Sequence, residues 1–184
     1  HQARMQREVL RAPSLDPAFL HEHKAQTGDL IKALLERLPF ELTGAQKRVV
    51  EDIRIDLLKT QPMHRLLQGD VGSGKTVVAA LAAAQCMSAG WQCALMAPTE
   101  LLAEQHFRNL ANWMQPLLEP LGADIAWLAG GQNKRTRQEM LDRIADGRAW
   151  LVVGTHAVIQ AQVHFKQLGL AIIDEQHRFG WRSG

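Results

Sequence analysis

Gly69-Asp70-Val71-Gly72-Ser73-Gly74-Lys75-Thr76 matches G-x-x-x-x-G-K-[ST] at every fixed position. The apolar pair Leu66-Leu67 precedes it, and a run rich in Ala and Val follows, so the order predicted is strand, loop, helix. Glycines let such a loop curl with its N–H groups inward, and a polyphosphate then meets no Cβ. The helix that begins there turns its N-terminal N–H groups and dipole toward the same phosphates. Lys75 adds a point charge for the β- and γ-phosphates, and Thr76 offers a hydroxyl to Mg²⁺. Gly69, Asp70, Val71, Gly72, Ser73, Gly74, Lys75 and Thr76 are therefore expected to hold ATP with Mg²⁺. The plainer alternative is a glycine turn between a strand and a helix.

About a hundred residues downstream, Leu170-Ala171-Ile172-Ile173-Asp174-Glu175 is an apolar strand ending in two carboxylates. A strand covered on both faces reads as a continuous apolar run. Acids at its C-terminal tip stand where open α/β sheets bind ligands. Asp174 is expected to hold Mg²⁺, and Glu175 to polarise an attacking water as general base. The plainer alternative is a solvated strand end.

Between and around these stretches, helical and strand patterns alternate. The sequence predicts a helix over 44–59, a strand near 65–68 and a helix over 74–89. A strand over 93–97 and a helix over 99–113 follow. Next come a strand over 124–128 and a helix over 134–145, capped by Gly147. A strand over 150–153, a short helix over 155–159 and a strand over 170–173 complete the series. Short strands separated by helices imply crossover connections and a parallel sheet. The helix after Gly74 is apolar on most faces and is expected to be buried.

The first residues differ. A charged helix is expected over 2–11, then punctuation by Pro13, Ser14, Asp16 and Pro17. Leu30, Ile31, Leu34, Leu35 and Leu38 recur at helical spacing until Pro39. Two parts are expected: a helical linker segment, 1–39, and an ATP-binding domain, 40–184.

Composition sets bounds on this reading. The 184 residues are 46% hydrophobic, enough for one well-buried domain. A net charge of +2 requires local groups, not a basic body, to grip any nucleic acid. Cys86 and Cys93 lie in apolar stretches without metal or redox spacing, and read as buried hydrophobes. No run approaches the ~20 apolar residues of a membrane span. Residues 1–11 lack the apolar core of a signal peptide. A cytoplasmic location is expected.

Asp174-Glu175-Gln176-His177-Arg178-Phe179-Gly180 resembles the acidic motif of superfamily 2 helicases. Together with the phosphate loop and Ala97-Pro98-Thr99-Glu100-Leu101-Leu102-Ala103-Glu104-Gln105-His106, it resembles the RecG family of bacterial ATP-dependent DNA helicases. Phe40-Glu41-Leu42-Thr43-Gly44-Ala45-Gln46 and Gly154-Thr155-His156-Ala157-Val158-Ile159-Gln160 resemble the same family, so the likeness runs from about residue 40 to 180. It implies a RecA-like P-loop NTPase fold, here the first of two motor domains. The activity implied is ATP-driven remodelling of branched DNA such as stalled replication forks, in DNA repair and recombination. Partners implied are DNA gripped without sequence preference, a second motor domain and a wedge domain. In that family the second motor domain supplies an arginine finger and half the ATP cleft. The first domain alone is therefore expected to bind nucleotide weakly and not to unwind DNA. Trp181-Arg182-Ser183-Gly184 departs from the family's pattern.

By the same resemblance, Gln46 reads the adenine edge, for which an amide has both donor and acceptor. Thr43-x-x-Gln46 is equally a capping box at a helix start. Phe40 stacks on the base or serves as a hydrophobic staple. Thr99 and Thr155, with their neighbours Pro98 and His156, would meet DNA phosphates at helix starts, and otherwise Thr99 and Thr155 are ordinary N-caps. Gly130 and Gly131 admit the DNA backbone closely or form a simple turn. His177 couples the ATP site to DNA or to the second domain, or is a satisfied polar residue. Lys134, Arg135, Arg137 and Arg143 alternate with Glu139 and Asp142, which favours a solvated face over a DNA patch. Trp91, Trp113, Trp127 and Trp150 read as core or half-buried.

Three further readings compete. A transcription-repair coupling translocase shares these motifs. A nucleotide-gated binding module would lack useful catalysis, against which Glu175 argues. A P-loop kinase would need a lid and an acceptor site that the sequence does not display.

Overall fold

The computed structural model describes residues 4–9, 30–38, 41–44, 46–48, 51–52, 63–69 and 73–176, with side chains for 30–38, 41–44, 46–48, 51–52 and 75–174. Among the described residues, six strands form one sheet: β1 (Arg4–Val9), β2 (Met63–Gly69), β3 (Gln92–Ala97), β4 (Asp124–Leu128), β5 (Ala149–Thr155) and β6 (Leu168–Gln176). Their order across the sheet is β1-β2-β6-β3-β5-β4. Every pairing is parallel except that of β1 with β2. The helices are α1 (Leu30–Arg37), α2 (Ser73–Ser88), α3 (Glu100–Leu118), α4 (Lys134–Ala145) and α5 (His156–Gln162), with a 3-10 turn at Glu119–Leu121. Residues 44, 46–48 and 51–52 are also helical. This is the expected α/β sheet with flanking helices.

The expected helix over 2–11 is corrected: residues 4–9 are an antiparallel edge strand, Arg4 opposite Gln68 and Val9 opposite Met63. Strand β2 would otherwise expose a full row of backbone donors and acceptors, and β1 satisfies them. The charged residues Arg4, Arg7 and Glu8 suit an edge position. Local charge patterning read as helix, but the unpaired edge of β2 decides.

Helix α2 is central. Its residues from Lys75 to Met87 are all buried, under α1 and α3 on one side and the sheet on the other. Leu30, Leu34 and Leu38 are buried in the same core cluster, so the Leu-rich stripe packs on the domain. Helix α3 runs five residues past its expected end, through Pro116 to Leu118. A proline leaves the carbonyl four residues back without its donor. That carbonyl, Asn112 O, accepts from Arg37 Nη2 at 3.2 Å, and Trp113 O accepts from Arg37 Nε at 3.0 Å. One arginine thus repairs the helix and anchors α1 to it.

At the amino ends of the strands, buried Gln92 joins three segments. Its Nε2 donates to Ala149 O (2.7 Å) and Ile144 O (3.0 Å), and its Oε1 accepts from Gln167 N–H (2.8 Å). Gly147 follows α4 at φ 88°, where only glycine rests without strain, and its N–H donates to Ile144 O. Cys86 and Cys93 are buried thiols, as expected. Trp91 and Trp113 are buried and Trp127 and Trp150 half-buried, with Trp127 stacked on Phe107 at 5.2 Å.

Candidate nucleotide and nucleic-acid site

The carboxyl edge of the sheet is where the motifs converge. Strand β6 lies between β2 and β3, which are consecutive in the chain. The chain therefore crosses over β6 between β2 and β3, and open α/β sheets bind ligands outside the carboxyl ends of such strands. Register places Gly69 beside Gln176, Gln68 beside Glu175 and Leu67 beside Asp174. The start of the glycine loop and the acidic pair, a hundred residues apart in sequence, thus end neighbouring strands at one level.

Four buried polar side chains form a line across this edge: Lys75 (4% exposed), Thr76 (4%), His106 (6%) and Asp174 (5%). The Lys75 ammonium pairs with Asp174 Oδ1. Asp174 Oδ2 accepts from His106 Nε2 at 2.7 Å, and His106 Nδ1 meets Thr76 Oγ1 at 3.0 Å. Burial pushes the Asp174 carboxyl up. The His106 hydrogen bond and the Lys75 charge outweigh it and hold the carboxyl below its ordinary value. Asp174 is therefore an ionised carboxylate at neutral pH.

A divalent cation fits these residues. Thr76 and Asp174 supply the hard oxygen donors that Mg²⁺ takes, one hydroxyl and one carboxylate. Asp174 Oδ1 is buried and has no hydrogen bond among the described residues, its contact being the Lys75 ion pair. Among the described residues, no group of three or more His, Cys, Asp or Glu is arranged for a metal. Mg²⁺ needs no such cage, because it keeps water and phosphate ligands alongside one or two protein oxygens.

His106 carried no assigned role in the sequence. The signal was present, since Ala103, His106, Leu110 and Met114 form the buried stripe of α3. An imidazole on a stripe otherwise apolar requires a buried polar partner.

The expected nucleic-acid residues lie along the same edge. Pro98 and Thr99 follow β3, Gly130 and Gly131 follow β4, and Thr155 and His156 end β5 and begin α5. Ala97 pairs with Thr155, and Leu128 with Gly154, so the three turns stand side by side. Pro98, Thr99, Gly130, Gly131 and His156 are exposed. Thr99 Oγ1 accepts from Leu102 N–H (3.2 Å) and Thr155 Oγ1 from Val158 N–H (3.3 Å), so both are N-caps. The Glu100 carboxylate accepts from Gly130 N–H at 2.5 Å, and a Cβ at residue 130 would overlap that carboxylate. The turn after β4 is thus tied to the start of α3.

Thr43 and Gln46 form a reciprocal capping box, with Thr43 N–H to Gln46 Oε1 at 2.9 Å and Gln46 N–H to Thr43 Oγ1 at 3.2 Å. On α4, exposed Arg135 pairs with Glu139, and Arg143 with Asp124, whereas half-buried Arg137 donates to Ala129 O and departs from a wholly solvated face. Phe40, Asp70, Val71, Gly72 and His177 lie outside the described residues, as does Trp181-Arg182-Ser183-Gly184. Gly69, Ser73, Gly74 and Glu175 are described by backbone alone.

Residues 43–183 match the model of the DEAD/DEAH box helicase family. The chain belongs to that family. Within it, the chain is 54% identical over 161 residues to the ATP-dependent DNA helicase RecG of Escherichia coli O157:H7. It is 55% identical over 152 residues to the RecG of Haemophilus influenzae. These alignments cover 87% and 83% of this chain, and 23% and 21% of the relatives. A RecG solved bound to a three-way DNA junction superposes with a TM-score of 0.68 at 43% identity, over 88% of this chain and 23% of that one. The chain therefore spans under a quarter of the length of these helicase relatives. Among the described residues, no helix is long and apolar enough to cross a membrane.

Proposed function

We propose that this chain is the ATP-binding motor domain of a DNA helicase of the RecG type, which couples ATP hydrolysis to the remodelling of branched DNA. The observation that carries this reading is the buried line Lys75–Asp174–His106–Thr76 where β2 and β6 end together. Lys75 and Asp174 neutralise each other there. A polyphosphate would offer Lys75 a new partner, and a cation would offer Asp174 one, so neither buried charge is left uncompensated as nucleotide enters.

In this reading residues 69–76 hold the phosphates, with Lys75 on the β- and γ-oxygens. Thr76 and Asp174 hold Mg²⁺, which when bound neutralises charge on the phosphate oxygens. Glu175 takes the proton of the attacking water. Gln46 and Phe40 contact the adenine. Pro98, Thr99, Gly130, Gly131, Thr155 and His156 take up DNA phosphates through helix N-termini and close backbone approach, which needs no base sequence. His177 couples the two sites. A second motor domain and a wedge domain are the partners, residues 1–39 connect to the latter, and the setting is the bacterial cytoplasm.

Titration of the chain with MgATP and MgADP tests the phosphate loop. Saturable binding that Lys75→Ala abolishes is the expected result. Tight ATP binding by the Lys75→Ala variant would remove the loop from the mechanism.

A further inference from the structure

We propose that His106 is a positioning residue, whose imidazole orients the Thr76 hydroxyl and the Asp174 carboxylate for Mg²⁺ and ties that pair to helix α3. This rests on Thr76 and Asp174 being the cation-holding groups.

Hydrogen-bond polarity supports it. An ionised carboxylate only accepts, so the contact of 2.7 Å places the ring proton on Nε2. With the ring proton on Nε2, Nδ1 faces the Thr76 hydroxyl across 3.0 Å as its acceptor. The hydroxyl proton is directed at His106, which leaves the Oγ1 lone pairs for a cation. Without the ring that hydroxyl is free to rotate, and its proton can face the cation instead. The same ring engages one oxygen of Asp174 and leaves Oδ1 opposite Lys75. One buried side chain thus sets the orientation of both oxygen donors.

The position of His106 adds the second link. It lies seven residues after Thr99, about 10 Å along the helix axis. The first turn of α3 carries Thr99 and Glu100 at the edge where β3, β4 and β5 end. The stripe of Ala103, Leu110 and Met114 buries the helix as a rigid body on its neighbours. His106 therefore joins Thr76 and Asp174 to the same helix whose start carries Glu100 at the strand ends.

The test compares the 184-residue chain with His106→Leu, His106→Asn and His106→Gln. Leucine fits the apolar stripe and makes neither hydrogen bond. Asparagine reaches the place of Nδ1, toward Thr76, and glutamine that of Nε2, toward Asp174. Affinity for a fluorescent ADP analogue is measured with Mg²⁺ and with EDTA, and thermal unfolding is followed alongside. In His106→Leu, the gain in affinity that Mg²⁺ confers is expected to fall about tenfold, a loss of roughly 1.4 kcal/mol. Affinity in EDTA is expected to stay within about a factor of two, since the backbone N–H groups and the lysine that meet the phosphates are not substituted. Asparagine and glutamine are expected to restore part of the gain. A purely structural role would lower both affinities or neither, and that result overturns the proposal. If His106→Leu does not fold, the other two variants decide, and a full Mg²⁺ gain in both overturns it. A parent chain that binds the analogue in EDTA but gains nothing from Mg²⁺ would overturn the cation reading of Thr76 and Asp174, and this inference with it.

Discussion

Two buried polar networks stand at opposite ends of the same sheet, and they differ in kind. At the amino ends of the strands, Gln92 joins Ile144, Ala149 and Gln167 through an uncharged amide and backbone groups. At the carboxyl ends, His106 joins Thr76 and Asp174, with Lys75 completing the line. Both are well buried. The amide spends its donors and its acceptor on permanent main-chain partners. The carboxyl-end groups instead hold one another, and each is a group that phosphate or a hard cation would take. Burial of polar atoms alone does not separate a structural network from a functional one. What separates them is whether the partners could be exchanged for a ligand of matching charge.

The largest expected effect lies at the carboxyl end. Asp174→Asn keeps a side chain able to meet His106 but removes the carboxylate charge that faces Lys75. Breaking a buried pair in this way should reduce unfolding stability by about 3 kcal/mol. Affinity for ADP in Mg²⁺ should fall about a hundredfold, roughly 2.7 kcal/mol. Urea unfolding and nucleotide titration measure the two. An Asn variant that binds MgADP as the parent does would place the cation elsewhere and dissolve the contrast.

Gln92→Leu comes next. It removes the partners of Ala149 O and Gln167 N–H, and a leucine can pair with neither. Stability should fall by about 2 kcal/mol, which in a chain of this size lowers the melting temperature by roughly 4–8 °C. Nucleotide affinity should not change. Calorimetry with and without MgADP separates these, because the ligand-induced rise in melting temperature should persist. Loss of nucleotide binding in this variant would mean that the two ends are coupled through the strands.

The carboxyl end was far more legible in sequence than the amino end. The phosphate loop is a contiguous pattern, and the acidic pair ends an apolar strand, so each is visible in one short window. Their adjacency follows from β6 lying between β2 and β3, a long-range pairing that no window contains. His106 was hidden for a related reason. Its partners are 30 and 68 residues away, and locally it is a histidine on a helix. Gln92 was hidden further still, since it opens a strand among apolar residues and all the partners of its amide are main-chain atoms. Residues 4–9 misled because their charge pattern permits a helix, whereas the exposed edge of β2 requires a strand. Period and motif are local quantities, and sheet order and buried polar pairing are not.

The smallest expected effect tests whether the amino end is as closed as its network implies. Cys86 donates to Gln92 O at 3.2 Å and is fully buried beside Cys93. Burial, reinforced by Cys93, pushes the Cys86 thiol well above its ordinary value. Both thiols are fully buried, so neither should meet a thiol reagent at neutral pH until the chain unfolds. The folded chain also holds the Cys86 proton more tightly than the unfolded chain does. Its contribution is fully present below the unfolded thiol's value of about 8.5 and is lost as pH rises beyond it. Melting temperatures at neutral and alkaline pH should therefore diverge slightly more for the parent chain than for Cys86→Ala. Saturating MgADP should leave thiol protection in the folded state intact, because its charges are exchanged at the far end of the strands. Thiols that become reactive when nucleotide binds would show that the amino-end network opens with the site, and that Gln92 is part of the motion rather than its fixed frame.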